Sequence, residues 1–298
     1  MRRLVLLALL VLLSSPAWAQ QLSPETKWAT ETFGEYQFTP DIVYKRANQF
    51  DCKLDVIAAT DKEHPRPTLI YIHGGGWTGG TKEAASLRTL PFLAAGMNIV
   101  NVEYRLAAVS LAPAAVEDCR CALRWVYKHA KDYGFDLNHL VLNGHSAGGH
   151  LSLITGMLTL EAGFDNECPG PERLQVAAIV NFYGITDVAD VLSGPNQKTY
   201  AVMWFGSLRD RMELAKELSP LTYVRPGLPP IFTAHGDDDP TVPYQHAVRL
   251  HKSLTDAGVP NELYTVPGGK HGGWTTEQNL KVQEAIFAFL KQHGVLTH

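Results

Sequence analysis

The chain has 298 residues, of which 45% are hydrophobic and 19% are charged, and its formal net charge is −4. This composition predicts a folded protein with a sizeable buried core rather than a disordered chain. The slightly acidic balance, without any run of basic residues, argues against nucleic acid as a partner.

The first 19 residues have the pattern of a secretory signal peptide. Arg2 and Arg3 precede an uncharged apolar run over 4–13, and Ala17 and Ala19 form a small-residue cleavage site. The apolar run is shorter than the ~20 residues that a spanning helix needs, although a retained anchor is the alternative. We therefore expect an exported protein, periplasmic or extracellular, with no membrane attachment after cleavage. Residues 20–298 are expected to form a single domain.

From Asp41 onward, short β-branched apolar runs alternate with helical patterns. This alternation is typical of a mostly parallel sheet with helices on both faces. Eight strands are predicted, near 41–46, 53–58, 68–73, 99–104, 140–143, 176–182, 231–235 and 262–266. Helices are predicted near 82–95, 113–133, 147–160, 244–257 and 275–291. The first two strands are expected to pair in antiparallel fashion.

The stretch 186–230 interrupts this alternation and carries the aromatic residues Tyr200, Trp204 and Phe205. Two interpretations are open. The segment either forms a cap that walls the substrate pocket, or it is an ordinary helical segment whose aromatic side chains pack into the core.

The motif Gly144-His145-Ser146-Ala147-Gly148 follows a predicted strand and precedes a predicted helix. A sharp strand-to-helix turn lifts a serine hydroxyl clear of the sheet and points the first helix amides at the same place. Ser146 is therefore the candidate nucleophile. The alternative is a serine that only caps the helix.

A candidate acid and a candidate base follow the last two predicted strands. Asp237, Asp238 and Asp239 follow the seventh strand, and His271 lies in a glycine-rich loop after the eighth. An imidazole suits the transfer of the serine proton. The chain order serine, acid, histidine is that of the α/β-hydrolase triad.

The sequence His73-Gly74-Gly75-Gly76-Trp77 ends the third strand. Glycines let backbone amides approach a substrate carbonyl, and such amides stabilise a developing oxyanion. We assign the oxyanion hole to Gly75, Gly76 and Ala147, with the Trp77 amide as an alternative. A phosphate loop is excluded, because Gly80 is followed by Thr-Lys rather than Lys-Thr.

These motifs together resemble the α/β-hydrolase esterases that carry an HGGGW motif, in the acetyl-esterase and feruloyl-esterase-like branch related to the hormone-sensitive-lipase group. The resemblance extends over about 41–290. Further matching stretches are 103–106 (EYRL), 112–118 (APAAVED) and 219–222 (SPLT). The sequence departs from the pattern at 107–111, which lacks a usual proline, and at 272–274, where a bulkier residue commonly follows the histidine.

The resemblance implies an α/β-hydrolase fold and hydrolysis of carboxylic esters through an acyl-enzyme. It implies that Asp239 is the triad acid, because the family aspartate lies three residues before the valine of a Val-Pro pair, here Val242-Pro243. Asp237 and Asp238 are the other candidates. The implied substrates are short-chain, acetyl or feruloyl-type esters, including oligosaccharide side groups, and neither a metal nor an organic cofactor is required. A near alternative is amide or formamide hydrolysis by the same triad, and a more distant one is a non-catalytic binding protein.

Several aromatic and histidine side chains near the motifs need separate interpretation. Trp77 and Trp274 are candidates to line the pocket, although core packing is equally open for both. His73 and His150 are expected to be hydrogen-bonding partners rather than catalysts. His235 is interpreted as structural rather than as a metal ligand.

The four cysteines permit three pairings if all are oxidised. Cys119 and Cys121 are expected on one helix, where residues two apart cannot bridge each other. Bridges from either of them to Cys52 or Cys168 are open, and so are four free thiols. Neither this pairing nor the oligomeric state follows from the sequence.

Overall fold

The computed structural model describes residues 22–296, so the predicted signal peptide lies outside the described residues. The chain divides at Gly34 into two units. The first contains most of helix α1 (Pro24–Glu35). All of the strands and every candidate site residue belong to the second unit, from Glu35 onward.

The second unit contains one eight-stranded sheet with the order β1-β2-β4-β3-β5-β6-β7-β8. Its strands are β1 (Tyr36–Ala47), β2 (Phe50–Ala59), β3 (Arg66–Ile72), β4 (Asn98–Val102), β5 (Phe135–His145), β6 (Ala178–Phe182), β7 (Ile231–Gly236) and β8 (Asn261–Val266). Strand β2 pairs in antiparallel fashion with β1 and β4, and every other pair is parallel. The mostly parallel sheet and its antiparallel entry are therefore confirmed.

The helices after β3 are α2 (Leu90–Ala94), α3 (Ala114–Lys128), α4 (Ala130–Tyr133), α5 (Ala147–Met157), α6 (Val188–Leu192), α7 (Thr199–Phe205), α8 (Arg211–Glu217), α9 (Gln245–Asp256) and α10 (Thr276–Gln292). The single helix predicted over 82–95 is wrong. A short 3-10 turn covers Lys82–Ala85, and α2 starts only near Pro91, which has no amide hydrogen for a helix interior. The helix predicted over 113–133 is divided at His129.

Within residues 22–296, no helix combines the length and the apolar character needed to cross a membrane.

The sheet separates two hydrophobic cores, as the alternation of side chains along a strand requires. Leu69 and Tyr71 of β3 pack on the side of α2 and α10. Ile70 and Ile72 pack on the other side, with α3, α5 and α9. Helices on both faces are therefore confirmed. Because β3, β5, β7 and β8 run in parallel, the loops that follow them all lie at one edge of the sheet.

The connection from α5 to β6, residues 158–177, is fastened to α3. A disulfide joins Cys121 of α3 to Cys168, while Cys52 and Cys119 are buried and unbridged. Ion pairs reinforce the attachment, and they join Arg120 to Asp165 and Arg124 to Asp165 and Glu172. A segment with only one 3-10 turn of its own is thus held by covalent and charged contacts.

We expect Cys168→Ala to lower the free energy of unfolding by about 2–4 kcal/mol, because it releases a cross-link between residues 47 positions apart. Urea denaturation monitored by circular dichroism measures this change. The matched control is Cys119→Ala, which removes an unbridged thiol from the same helix and should cost less. A titration that finds four free thiols in the denatured, unreduced protein would contradict the bridge.

Three buried histidines make the fold sensitive to acid. Burial is the main cause that lowers the pKa of His150, His246 and His251 to about 4, from an ordinary value of 6.5. The unfolded chain therefore binds more protons than the folded protein between about pH 6.5 and pH 4. Linkage then requires the free energy of unfolding to fall as the pH is lowered through that range.

Removing one of these rings should make stability less dependent on pH. We expect His251→Asn to reduce the loss of stability between pH 6.5 and pH 4, because Asn keeps a donor for Asn261 and does not titrate. Thermal unfolding at several pH values measures the slope. Gln292→Asn, which changes an exposed side chain without a titratable group, is the control and should leave the slope unchanged. Equal slopes for wild type and His251→Asn would disprove the assignment.

Candidate functional site

Ser146 lies on the turn between β5 and α5 and has an unusual backbone. Its φ is +58° and its ψ is −120°, a conformation that costs a non-glycine residue about 1–3 kcal/mol. The strand β6 holds it, because the Ser146 amide donates to the Phe182 carbonyl over 2.9 Å. A glycine is required at position 148, since a Cβ there would lie 2.1 Å from the Ile72 carbonyl oxygen. The turn therefore leaves the serine side chain half-buried and accessible at the edge of the sheet.

The side chains of Ser146, His271 and Asp239 form a continuous hydrogen-bonded chain. His271 Nε2 lies 2.8 Å from Ser146 Oγ, and His271 Nδ1 lies 2.7 Å from Asp239 Oδ2. An ionised carboxylate only accepts hydrogen bonds, so Nδ1 carries the hydrogen and Nε2 presents its lone pair to the serine hydroxyl. This is the geometry in which a histidine can remove the serine proton.

Four N–H groups surround the Asp239 carboxylate, which is completely buried. Oδ1 accepts hydrogen bonds from the amides of Thr241 (2.7 Å) and Val242 (3.0 Å). Oδ2 accepts a hydrogen bond from His271 Nδ1 and lies 3.2 Å from His235 Nε2. Burial alone would raise the pKa of Asp239, but hydrogen bonds from His235, His271 and Val242 outweigh it and hold the pKa well below its usual range.

The other two candidate acids point elsewhere. Asp237 is exposed, and its Oδ1 accepts a hydrogen bond from the Gly268 amide over 2.6 Å. Asp238 is exposed too, and its amide donates to the Gly269 carbonyl over 3.0 Å. The structure therefore brings only Asp239 to His271. The contacts of Asp237 and Asp238 also join two loops. We call the loop after β7 the acid loop (237–243) and the loop after β8 the base loop (267–274).

The oxyanion loop (73–77) lies directly against the turn of Ser146. A Cβ placed on Gly74 would be 2.6 Å from the His145 carbonyl oxygen and 3.5 Å from Ser146 Cβ. The amides of Gly75 and Gly76 have no hydrogen-bond partner among the described residues. Ala147 is the first residue of α5, so its amide has no acceptor within the helix. The oxyanion loop and the start of α5 thus carry three amide donors that are unpaired among the described residues, and their assignment to an oxyanion hole stays a prediction.

His73 and Tyr104 support the base of this loop. Their rings stack with centroids 4.3 Å apart, and the Tyr104 hydroxyl donates to the His73 carbonyl over 3.0 Å. His73 Nδ1 donates to the Gly74 carbonyl over 2.7 Å. Burial lowers the pKa of His73, which keeps the ring uncharged. The next residue, Arg105, is fixed by a two-point contact with buried Asp118 on α3.

The position of Trp77 corrects the idea that it lines the pocket. Its side chain is completely buried, stacked on Trp204 of α7 at 4.2 Å between centroids. The indole N–H donates to His150 Nδ1 over 3.2 Å, and His150 Nε2 donates to the Leu218 carbonyl over 2.7 Å. Of the two roles that the sequence left open for Trp77, core packing is the one observed.

Trp274 is also largely a packing residue. Only 9% of it is exposed, and its indole N–H donates to the Lys270 carbonyl over 3.0 Å. Its ring meets the edge of Tyr183 at 5.5 Å between centroids. The structure therefore corrects the expected substrate-binding role of Trp274, because its side chain bonds within the base loop instead.

Two tyrosines lie closer to the triad: Tyr183, which the sequence did not assign to the site, and Tyr200, which belongs to the candidate cap segment. Tyr183 follows β6, and its ring lies 4.6 Å from that of His271 between centroids. Tyr200 of α7 packs on the oxyanion loop, since a Cβ on Gly76 would be 2.7 Å from Tyr200 Cβ. Its hydroxyl donates to the Thr241 carbonyl over 3.3 Å. Tyr183 could have been predicted from the sequence, because it directly follows β6 and the other site residues also follow the ends of strands.

The segment 186–230 therefore combines both roles proposed for it. Trp204 and Phe205 are buried in the core, whereas Tyr200 is half-buried and bridges the oxyanion loop and the acid loop. Lys198 Nζ adds a contact with the Pro240 carbonyl over 2.9 Å. The segment thus forms one wall of the candidate site.

A separate cleft of about 920 Å³ lies at the opposite edge of the sheet. Ala177 and Pro229, which precede β6 and β7, line it, and no triad residue does. Within residues 22–296, no group of three or more histidine, cysteine or acidic side chains is arranged to hold a metal ion.

Comparison with known proteins agrees with this geometry. Esterase LipC of Mycobacterium tuberculosis is 28% identical over 215 residues, which cover 70% of this chain, and the chain spans about half (53%) of the length of LipC. Esterase 2 of Thermogutta terrifontis with propionate bound is 26% identical and superimposes with a TM-score of 0.73 over 90% of this chain and 97% of its own. The same enzyme phosphonylated by sarin is 26% identical and gives a TM-score of 0.74 over 87% and 96%.

These neighbours and the sheet order confirm the α/β-hydrolase fold. A family model, BD-FAE, matches residues 54–254, which include the oxyanion loop, Ser146 and Asp239. The chain therefore belongs to the BD-FAE family.

Proposed function

We propose that this protein hydrolyses carboxylic esters through an acyl-enzyme formed on Ser146. The observation that carries the proposal is the continuous chain Ser146–His271–Asp239 beside three unpaired amides. The names of LipC and of the Thermogutta terrifontis neighbour, both esterases, support the same reaction class.

In the first half of the proposed reaction, Ser146 Oγ bonds to the ester carbonyl carbon while its proton passes to His271 Nε2. The carbonyl oxygen becomes an oxyanion, which the amides of Gly75, Gly76 and Ala147 stabilise. Asp239, held ionised, stabilises the imidazolium. The carbon–oxygen bond to the alcohol then breaks, and His271 gives its proton to the leaving oxygen.

In the second half, water attacks the acyl-enzyme. His271 Nε2 takes a proton from the water, and the bond between the acyl carbon and Ser146 Oγ breaks after a second oxyanion forms. His271 returns the proton to the serine, and the carboxylic acid leaves. The same amides and the same carboxylate serve both halves.

We propose short-chain, acetyl or feruloyl-type esters as substrates, including those on oligosaccharides. Tyr200 supports the short-chain and acetyl part of this proposal, because it fills space between the oxyanion loop and the acid loop. The propionate-bound neighbour supports the same size class. We also propose export, which the signal-like N-terminus and the Cys121–Cys168 disulfide support, since disulfides persist in oxidising compartments.

The mature protein should hydrolyse p-nitrophenyl acetate, and Ser146→Ala should lower kcat by on the order of 10⁶-fold, because the nucleophile is removed. Ser152→Ala is the matched control, because Ser152 lies on the same helix, is buried and donates to no described residue. Its activity should stay within about twofold. Equal turnover by wild type and Ser146→Ala would eliminate the serine mechanism. Parallel rates on octanoate esters, methyl ferulate and acetylated xylan separate the proposed substrate classes.

Asp239→Asn should lower kcat on the order of 10⁴-fold, because an amide cannot hold His271 in the productive tautomer. Asp238→Asn is the paired control, since its exposed side chain has no hydrogen-bond partner among the described residues. Steady-state kinetics on the same ester measures both. If Asp239→Asn kept its activity and Asp238→Asn lost it, Asp238 rather than Asp239 would be the acid.

A further inference from the structure

A second histidine, His235, lies beside the triad carboxylate, near the same oxygen that His271 contacts. It is near the end of β7, opposite Thr265 of β8, and its side chain is completely buried. It makes no contact with Ser146. The proposed reaction assigns it no step.

The contacts of His235 define which ring nitrogen carries the hydrogen. Nε2 lies 3.0 Å from the Val242 carbonyl oxygen and 3.2 Å from Asp239 Oδ2. Both of these oxygens only accept, so Nε2 must be the N–H nitrogen. Nδ1 is buried and has no hydrogen-bond partner among the described residues. The Nε2 hydrogen is thus directed to the Val242 carbonyl, and a triad carboxylate oxygen lies close beside Nε2 at 3.2 Å.

The Nε2 hydrogen of His235 takes part in a small cycle of contacts around Asp239. The Val242 amide donates to Asp239 Oδ1, while the Val242 carbonyl accepts from His235. The carboxylate is therefore held at both oxygens, and the turn that carries it is held at the same time. Oδ2 accepts a hydrogen bond from His271 Nδ1 and lies 3.2 Å from His235 Nε2.

A donor on Asp239 Oδ2 has an electrostatic consequence for His271. Each N–H that points at the carboxylate withdraws part of its negative charge, so the carboxylate attracts the His271 proton less strongly. Without His235, Asp239 would stabilise the imidazolium more. The base would then become protonated at a higher pH.

We propose that His235 is a positioning residue that orients the Asp239 carboxylate and moderates its pull on His271, an inference that rests on the proposed esterase function. It acts through Asp239 and never touches substrate. Its effect should appear in kcat and in the pH dependence of kcat/KM rather than in KM.

Other ionisable groups lie on the elements packed around this acid–base pair and must be the same in every variant compared. They come from the loop before α2, from the ends of β5 and β6, from α7, from the start of α9 and from the acid and base loops themselves. They are Arg88, His145, Tyr183, Lys198, Tyr200, Asp237, Asp238, Tyr244 and Lys270. None of them is altered in the variants below.

The kinetic test compares His235→Gln with His235→Asn. The Gln amide nitrogen reaches about as far as Nε2, whereas the Asn amide stops near the position of Nδ1. We expect His235→Gln to stay within about threefold of wild type. His235→Asn should lower kcat roughly tenfold, equivalent to about 1.4 kcal/mol, with KM unchanged, and should move the acid limb of kcat/KM to higher pH.

His251→Asn is the matched control, because it changes a buried histidine that is bonded to Asn261 and lies outside the site. It should alter thermal stability and leave the acid limb where it is. An unmoved acid limb in His235→Asn, or equal losses in His235→Gln and His235→Asn, would overturn the proposal.

A second measurement needs neither turnover nor the His235 variants. In wild-type protein labelled with ¹⁵N at histidine, NMR should show His235 protonated at Nε2, and Asp239→Asn should shift that resonance. A hydrogen on Nδ1, or a resonance that ignores Asp239→Asn, would disprove the contact. Because this readout is independent of hydrolysis, it separates failure of the inference from failure of the esterase function.

Discussion

The whole site depends on one strained residue, Ser146, whose backbone is held at φ +58° between β5 and α5. Such a conformation persists only where the surroundings determine it more strongly than the residue itself does. Strand β5 lies inside the sheet with β3 and β6 on either side, so the turn cannot relax without breaking pairs on both. The bond from the Ser146 amide to Phe182 and the close packing of Gly148 on Ile72 fix it further. The nucleophile, the Ala147 amide and the adjoining oxyanion loop all take their positions from this turn.

The three side chains of the triad differ in their charge and in their exposure to solvent. Asp239 is completely buried and surrounded by four N–H groups, whereas 19% of the His271 side chain is exposed and Ser146 is half-buried. Burying a carboxylate is costly unless hydrogen bonds compensate, and here they more than compensate. The permanent charge is thus kept away from water. His271, which gains and loses a proton in the proposed reaction, keeps part of its side chain open to solvent.

The sequence predicted features that depend on local pattern and missed those that depend on distant partners. All eight strands and the serine, histidine and oxyanion residues lie where alternating hydrophobicity and glycine-rich loops placed them. Trp77 could not be placed in this way, because its burial results from Trp204, more than a hundred positions later in the chain. The choice among three consecutive aspartates needed a resemblance, since only folding shows that the Thr241 and Val242 amides converge on Asp239. The pairing of Cys121 with Cys168 depends on the path of an irregular connection, which no periodicity encodes.

The cross-linked acid and base loops have a consequence for thermal fluctuations. Asp237 and Asp238 bond to the backbone of the base loop, so the loops that carry Asp239 and His271 are fastened to each other as well as to neighbouring strands β7 and β8. Ser146 sits two strands away, on a turn fixed to β6. We therefore expect movements of the sheet to displace Asp239 and His271 together, so that their 2.7 Å contact persists while the 2.8 Å contact between His271 and Ser146 varies more. In the proposed reaction, the contact between His271 and Ser146 is also the one that changes in every catalytic cycle.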